Sequence, residues 1–273
     1  MISPLVQLIV VIAAGATAGC FGALLGIGGG VFLVPFLNLV LGYPFKQAVA
    51  TSLVTVIATS SAVSARTAGK QLINLKLGML LEVATAAGGL AGGLLVVVMS
   101  DRALQIMFAL VTAAIAVVMF SRLDRRNVIL DPAAHPGRLG GQYHEAESGG
   151  LVTYRVKRLP VALAVSFAAG NISSFLGIGG GILKVPALNA WCGVPLRAAA
   201  ATSALMIGVT AVSAVPLYYA NGYIVEAVAA ATVLGVLAGS SAGFWIAARA
   251  RAKWLKALLG IVLAAVSLSY FLK

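Results

Sequence analysis

The sequence predicts an all-α polytopic membrane protein of two homologous halves, inverted repeats of four to five helices each, with a broken helix at a glycine-rich motif in each half. Three observations predict it. Of 273 residues, 61% are hydrophobic and 10% charged, with a mean hydropathy of +1.04, outside the range of soluble globular domains. Stretches free of Asp, Glu, Lys and Arg recur at 1–45, 83–100, 103–121, 159–183, 198–225, 227–248 and 257–272, and a crossing helix needs about 20 apolar residues. Finally, "LLGIGGGVFLVPFLNL" at Leu24–Leu39 returns as "FLGIGGGILKVPALNA" at Phe175–Ala190.

The apolar runs are long and unalternating, so helices rather than barrel strands satisfy the backbone in lipid. The first run resembles a cleaved leader only weakly, since no Lys or Arg precedes it. The matching run before the second motif lies inside the chain, and by analogy the first is expected to be retained. A net charge of +12 is read as basic loops facing the cytoplasm, not as nucleic-acid binding. Cys20 and Cys192 form no C-x-x-C pair and are read as packing residues. No cofactor or metal motif is expected.

Aligned without a gap, Leu25–Leu53 and Leu176–Ala204 share 16 of 29 residues, which marks an internal duplication. The halves are 1–121 and 159–273. Between them, 122–158 is the sustained polar segment, expected to be a cytoplasmic linker partly disordered in its Gly/Pro/Ser-rich middle. His135, His144, Glu145 and Glu147 in it are read as solvated side chains rather than metal ligands. If each glycine motif headed a re-entrant hairpin, each half would have four spans, the repeats would be parallel, and Lys and Arg would divide 11 to 7. If the segment after the glycines crosses back, each half has five spans, the repeats are inverted, and the division is 15 to 3. The second arrangement fits the positive-inside bias better and puts the C-terminus outside.

Three consecutive glycines at membrane depth interrupt a helix, and irregular backbone there must be buried in protein or line a cavity. A new helix starting after the glycines offers free N–H groups at a positive dipole end, unobstructed by side chains. Paired interruptions in two halves point to a transporter's central site; the bland alternative is close helix packing. Neither motif is followed by Lys-Ser/Thr, which excludes a nucleotide-binding P-loop. Lys184, three residues past the second triplet, is an intramembrane cation suited to an anion site, or else reaches out to an interface; Leu33 stands at its place in the first half. Asn38 and Asn189 bind substrate or brace the broken backbone, and the Thr51-Ser52 and Thr202-Ser203 hydroxyls face the cavity or bond their own helices. Glu82 and Glu226 are candidates for carrying a coupling proton, but each is near enough to a span's end to sit at headgroup level. No catalytic constellation is present, so an enzyme is not expected.

With "LGIGGG", "VP" and "ATS" in both halves, the chain resembles the sulfite exporter TauE/SafE family of bacterial inner-membrane permeases along essentially its whole length. The resemblance implies secondary transport of a small anion such as sulfite, a sulfonate or a related organosulfur compound. It marks Gly26, Gly28, Gly29, Gly30, Pro35, Asn38, Thr51 and Ser52, with Gly177, Gly179, Gly180, Gly181, Pro186, Asn189, Thr202 and Ser203, as the matched positions; Lys184 rests on the physical argument alone. Alternatives are a permease or channel for sulfate or a carboxylate, and a sulfur-relay membrane protein using Cys20 and Cys192. The expected partners are the small anion and the lipid bilayer, with proton coupling and homo-oligomerisation left open.

Overall fold

The computed structural model describes residues 4–67, 71–121, 129, 135–145, 149–249 and 252–272. The first half comprises α1 (Pro4–Leu25), α2 (Gly30–Pro35) running into a π-helical turn (Phe36–Val40), α3 (Phe45–Thr67), α4 (Leu75–Val98) and α5 (Asp101–Ser121). A hairpin of β1 (Gly141–Glu145) and β2 (Gly150–Tyr154) follows, and then α6 (Leu159–Leu176), α7 (Gly181–Ala190), α8 (Leu196–Ala220), α9 (Glu226–Arg249) and α10 (Ala252–Phe271). Among the described residues, six helices are long and apolar enough to cross a membrane. Leu75, Met79, Val83, Leu90 and Leu94 expose one apolar stripe along α4, a surface that lipid rather than water accommodates.

Packing repeats between the halves with partners exchanged. Helix α1 lies along α9 as α6 lies along α4, while α3 meets α8 and α5 meets α10. These close pairs rest on glycine stripes. Gly235, Gly239 and Gly243 face the backbone of Ile12, Ala16 and Cys20, and Gly88 and Gly92 face that of Phe167 and Asn171, with no room for a Cβ. Small residues let backbones approach where lipid gives no hydrophobic drive between helices.

The chain ends of the helices sort into two groups. At one end Gln7 Nε2 donates to Tyr43 Oη at 3.0 Å, the Phe45 N–H donates to Asp101 Oδ2 at 3.0 Å, and Lys46 Nζ lies 5.5 Å from the Tyr223 ring centre. At the other, the Asn74 N–H donates to Thr202 Oγ1 at 3.0 Å and the Lys157 N–H to Cys192 O at 2.8 Å. So α2 returns to the end where α1 begins, α7 returns to the end where α6 begins, and α1 and α6 begin at opposite ends.

The linker departs from the expectation of a disordered middle where it is described. Tyr143, Val152 and Tyr154 are buried against Leu77, Leu81, Val185 and Leu188, which is enough apolar surface to order a short hairpin. Asn74 ties it down: its Oδ1 caps α4 by accepting from the Leu77 N–H, and its Nδ2 donates to Leu139 O at 2.7 Å and Tyr154 Oη at 3.1 Å. His135 braces a turn, its Nδ1 accepting from the Gly137 N–H, and no cluster of metal-binding side chains occurs among the described residues. Glu147 lies outside them.

Replacing Gly239 by leucine is expected to force α1 from α9 and lower the melting temperature of the detergent-solubilised protein, at an overpacking cost of about 1–3 kcal/mol or more. The control Gly150→Ala, at a position with nothing within 4 Å of an added Cβ, leaves the melting temperature unchanged.

Candidate functional site

The two glycine motifs meet at the centre of the molecule. Helix α1 stops at Leu25 and α2 starts at Gly30; α6 stops at Leu176 and α7 starts at Gly181. In the breaks Gly28 and Gly29 have φ of 86° and 78°, and Gly179 and Gly180 have 74° and 67°, conformations that glycine alone adopts without strain. The tips then cross. A Cβ on Gly30 would strike Gly177 O and Ile178, and a Cβ on Gly181 would lie 2.7 Å from Gly26 O and 2.9 Å from Ile27 Cα. Gly26 packs on Ala200 and Gly177 on Val49, while Gly28 and Gly179 both face Val56. Ile27, Val31, Val56, Ile178, Ile182 and Ile207 are buried around the crossing. The motif therefore builds a tight crossing in this state.

The polar residues of the duplicated motif brace this arrangement. Ser52 Oγ donates to Gly177 O at 2.6 Å, tying one half to the broken helix of the other. Asn38 Nδ2 donates to Tyr43 O at 2.8 Å and Asn189 Nδ2 to Val194 O at 2.9 Å, so each amide holds the turn after its broken helix; Gln105 adds a bond to Asn38 Oδ1 at 3.3 Å. Thr202 accepts from the Asn74 N–H, at the α4 end. Thr51 is buried in α3. Ser203 Oγ is buried without a partner, 3.1 Å from the position a Cβ on Gly181 would take.

Lys184 is where chemistry collects. It is 0% exposed and does not reach an interface. Its Nζ is 4.0 Å from Glu82 Oε2 and 3.5 Å from Thr210 Oγ1, and Thr210 Oγ1 is 3.0 Å from Glu82 Oε1. Glu82, near a span's end in the sequence, turns inward from α4 to the cation on α7. Gly180 is closely packed, since a Cβ there would lie 3.1 Å from Ala169 O, 3.3 Å from Ser173 Cβ and 3.4 Å from Lys184 Cε. Ser173 Oγ and Glu82 Oε2 are both buried with no hydrogen bond. The buried cation, its carboxylate partner and the buried Ser173 hydroxyl thus lie near the start of α7, where the Leu183 N–H already bonds Gly180 O and the N–H groups of Gly181 and Ile182 have no acceptor within the helix.

Sequence reasoning singled out Lys184 and missed Glu82, Thr210 and Ser173 as its neighbours. The charged pair has no counterpart across the repeat: Leu33 stands opposite Lys184, and Ala229 occupies the place matching Glu82 when Gly88 is set on Gly235. The cysteines are on separate elements, Cys20 in α1 and Cys192 after α7, and both are free.

A family described as sulfite exporter TauE/SafE matches over residues 11–270. The probable membrane transporter protein YunE of Bacillus subtilis is 24% identical, covering 93% of this chain and 94% of its own. A probable membrane transporter protein of Methanocaldococcus jannaschii is 26% identical over 97% of this chain and 95% of its own, and one of Xylella fastidiosa 25% identical over 96% and 94%. No solved structure matches significantly. Together with six membrane-length helices, these matches mark a multi-pass membrane transporter.

Removing either member of the pair leaves a buried charge uncompensated, so Lys184→Leu and Glu82→Leu are each expected to destabilise the protein by about 3 kcal/mol. The double variant K184L/E82L recovers most of that loss in a thermal or chemical denaturation series. Equal losses that simply add in the double variant would show that the two groups do not interact.

Proposed function

We propose that this chain, which belongs to the sulfite exporter TauE/SafE family, is a secondary transporter carrying a small anion, sulfite or a sulfonate or related organosulfur anion, across the bacterial inner membrane. The observation that carries the reading is Lys184: a fully buried cation, one turn into a helix that begins at the glycine crossing. An intramembrane charge is costly to insert and marks a substrate path by default. The anion is held by Lys184 Nζ, Ser173 Oγ and the first-turn N–H groups of α7, with the positive end of the α7 dipole behind them. A compact oxyanion suits this donor set, since each oxygen accepts a short charge-assisted bond. No group in the site is assigned to bond-making chemistry; the chain binds and moves its substrate unchanged.

The glycine crossing supports alternating access. The two halves act as inverted repeats, α1 and α6 starting at opposite ends, and the broken helices α2 and α7 cross between them as the movable contact. In such folds the substrate sits where discontinuous helices meet, and one repeat rocks against the other. Lys and Arg gather at the linker end: Arg66, Lys76, Arg138, Arg155, Lys157, Arg158 and Arg197 against Lys46 and Arg102 at the other. That end is cytoplasmic by the positive-inside rule.

Purified protein in proteoliposomes is expected to take up labelled sulfite saturably and above empty liposomes. Lys184→Gln, which removes a charge-assisted contact of about 1.5–3 kcal/mol, raises the half-saturating concentration roughly 10- to 100-fold. Uptake equal to empty liposomes with folded protein contradicts the sulfite reading, and wild-type kinetics in K184Q contradicts the site. A reporter fused after Lys273 is expected outside the cytoplasm and one inserted in the linker inside; a cytoplasmic C-terminus contradicts the inverted arrangement.

A further inference from the structure

The Lys184–Glu82 pair has a property that an anion site alone does not require. Resting on the anion-transporter reading, we propose that Glu82 is the internal counter-ion that the anion displaces from Lys184, so that each monoanion bound is matched by one proton taken up on the Glu82 carboxylate and the two are carried together.

The argument starts from charge. In the empty site Lys184 and Glu82 sit 4.0 Å apart and neutralise each other. An anion arriving at Lys184 beside an ionised Glu82 would leave a net negative charge in a dry interior, which is strongly unfavourable. A proton on Glu82 restores neutrality. Of the two side chains Glu82 retains 15% exposure and Lys184 none, which makes the carboxylate the member of the pair placed to take up the proton.

The hydrogen bonds accommodate both states without rearrangement. Thr210 has one hydroxyl proton and two acceptors within reach, Glu82 Oε1 at 3.0 Å and the carbonyl of Met206 at 3.1 Å. With Glu82 ionised, Thr210 donates to the carboxylate. With Glu82 protonated, the carboxyl O–H donates to Thr210 and the threonine proton turns to Met206 O. The hydroxyl is therefore satisfied before and after protonation. Glu82 Oε2, which faces Lys184, has no donor holding it, so nothing but the cation opposes its release when an anion takes its place.

Among the described residues of α6, α7 and α8 no other charged group stands beside the pair, and His144 of the hairpin is exposed. Helix α6 has no ionisable side chain from Leu159 to Leu176; α8 has Arg197, Tyr218 and Tyr219, at its two ends; α7 offers Lys184 alone. From the hairpin, Tyr143 and Tyr154 pack near Leu77 and Leu81, with Tyr154 Oη bonded to Asn74. On α4 itself Lys76 lies in the first turn.

The test compares wild type with Glu82→Gln, which mimics the protonated carboxyl permanently, in proteoliposomes with the membrane potential clamped. Exchange of labelled methanesulfonate, a monoanion at every pH used, is measured at equal pH on both sides across pH 6.5–8.5, and its uptake under an acid-outside gradient. Because this probe does not titrate in the range, both its accumulation and the ratio of the two rates report the side chain. Wild-type exchange is expected to fall relative to E82Q as pH rises, by up to about tenfold per pH unit, and an acid-outside gradient drives accumulation in wild type but not in E82Q; Glu82→Asp regains the gradient response. A constant rate ratio across the pH range, or gradient-driven accumulation by E82Q, overturns the proposal. If E82Q does not fold, wild type decides: exchange without gradient-driven accumulation overturns proton coupling and leaves anion transport standing, whereas absence of any exchange overturns both.

Discussion

Everything in this molecule is arranged around one contact, the crossing of two helix breaks at its centre. Gly30 lies against Gly177 O and Gly181 against Gly26 O at a distance that admits no Cβ, and Ser52 fastens one half to the carbonyl of the other. A backbone that leaves helical geometry inside a membrane must be enclosed by protein. Here each break encloses the other, with α3 and α8 crossing beside them. Because each tip is the other's wall, the two halves cannot be placed independently, and moving one break changes the surroundings of both.

On that symmetrical scaffold the charge is unsymmetrical. Lys184 and Glu82 face each other, whereas the matching positions of the repeat hold Leu33 and Ala229. The hairpin deepens the asymmetry. It covers Leu77 and Leu81 of α4 and Val185 and Leu188 of α7, the two helices that carry Glu82 and Lys184, and so relates the linker to the charged pair.

Much of this was legible in the sequence. Repetition of "LGIGGG" located the two helix breaks, because three glycines in an apolar run have few physical uses. What remained hidden depends on contacts between distant positions. Glu82 looked like a residue near a helix end because its partner is on another helix in the other half. Asn38 and Asn189, equally suited on paper to substrate or backbone, hold Tyr43 O and Val194 O, which only the folded turns bring within reach. The polar composition of the linker concealed the tyrosines and Val152 that fold it onto α4 and α7.

The central claim is that an anion rests beside Lys184 at the crossing. Its most direct measurement is an anomalous-scattering map of crystals soaked in selenite, the heavier analogue of sulfite. The account predicts one peak within hydrogen-bonding distance, about 3 Å, of Lys184 Nζ and Ser173 Oγ, displacing the Glu82 carboxyl. A peak beside Leu33 in the other half, or none near Lys184 in crystals that hold selenite elsewhere in the membrane region, would contradict it.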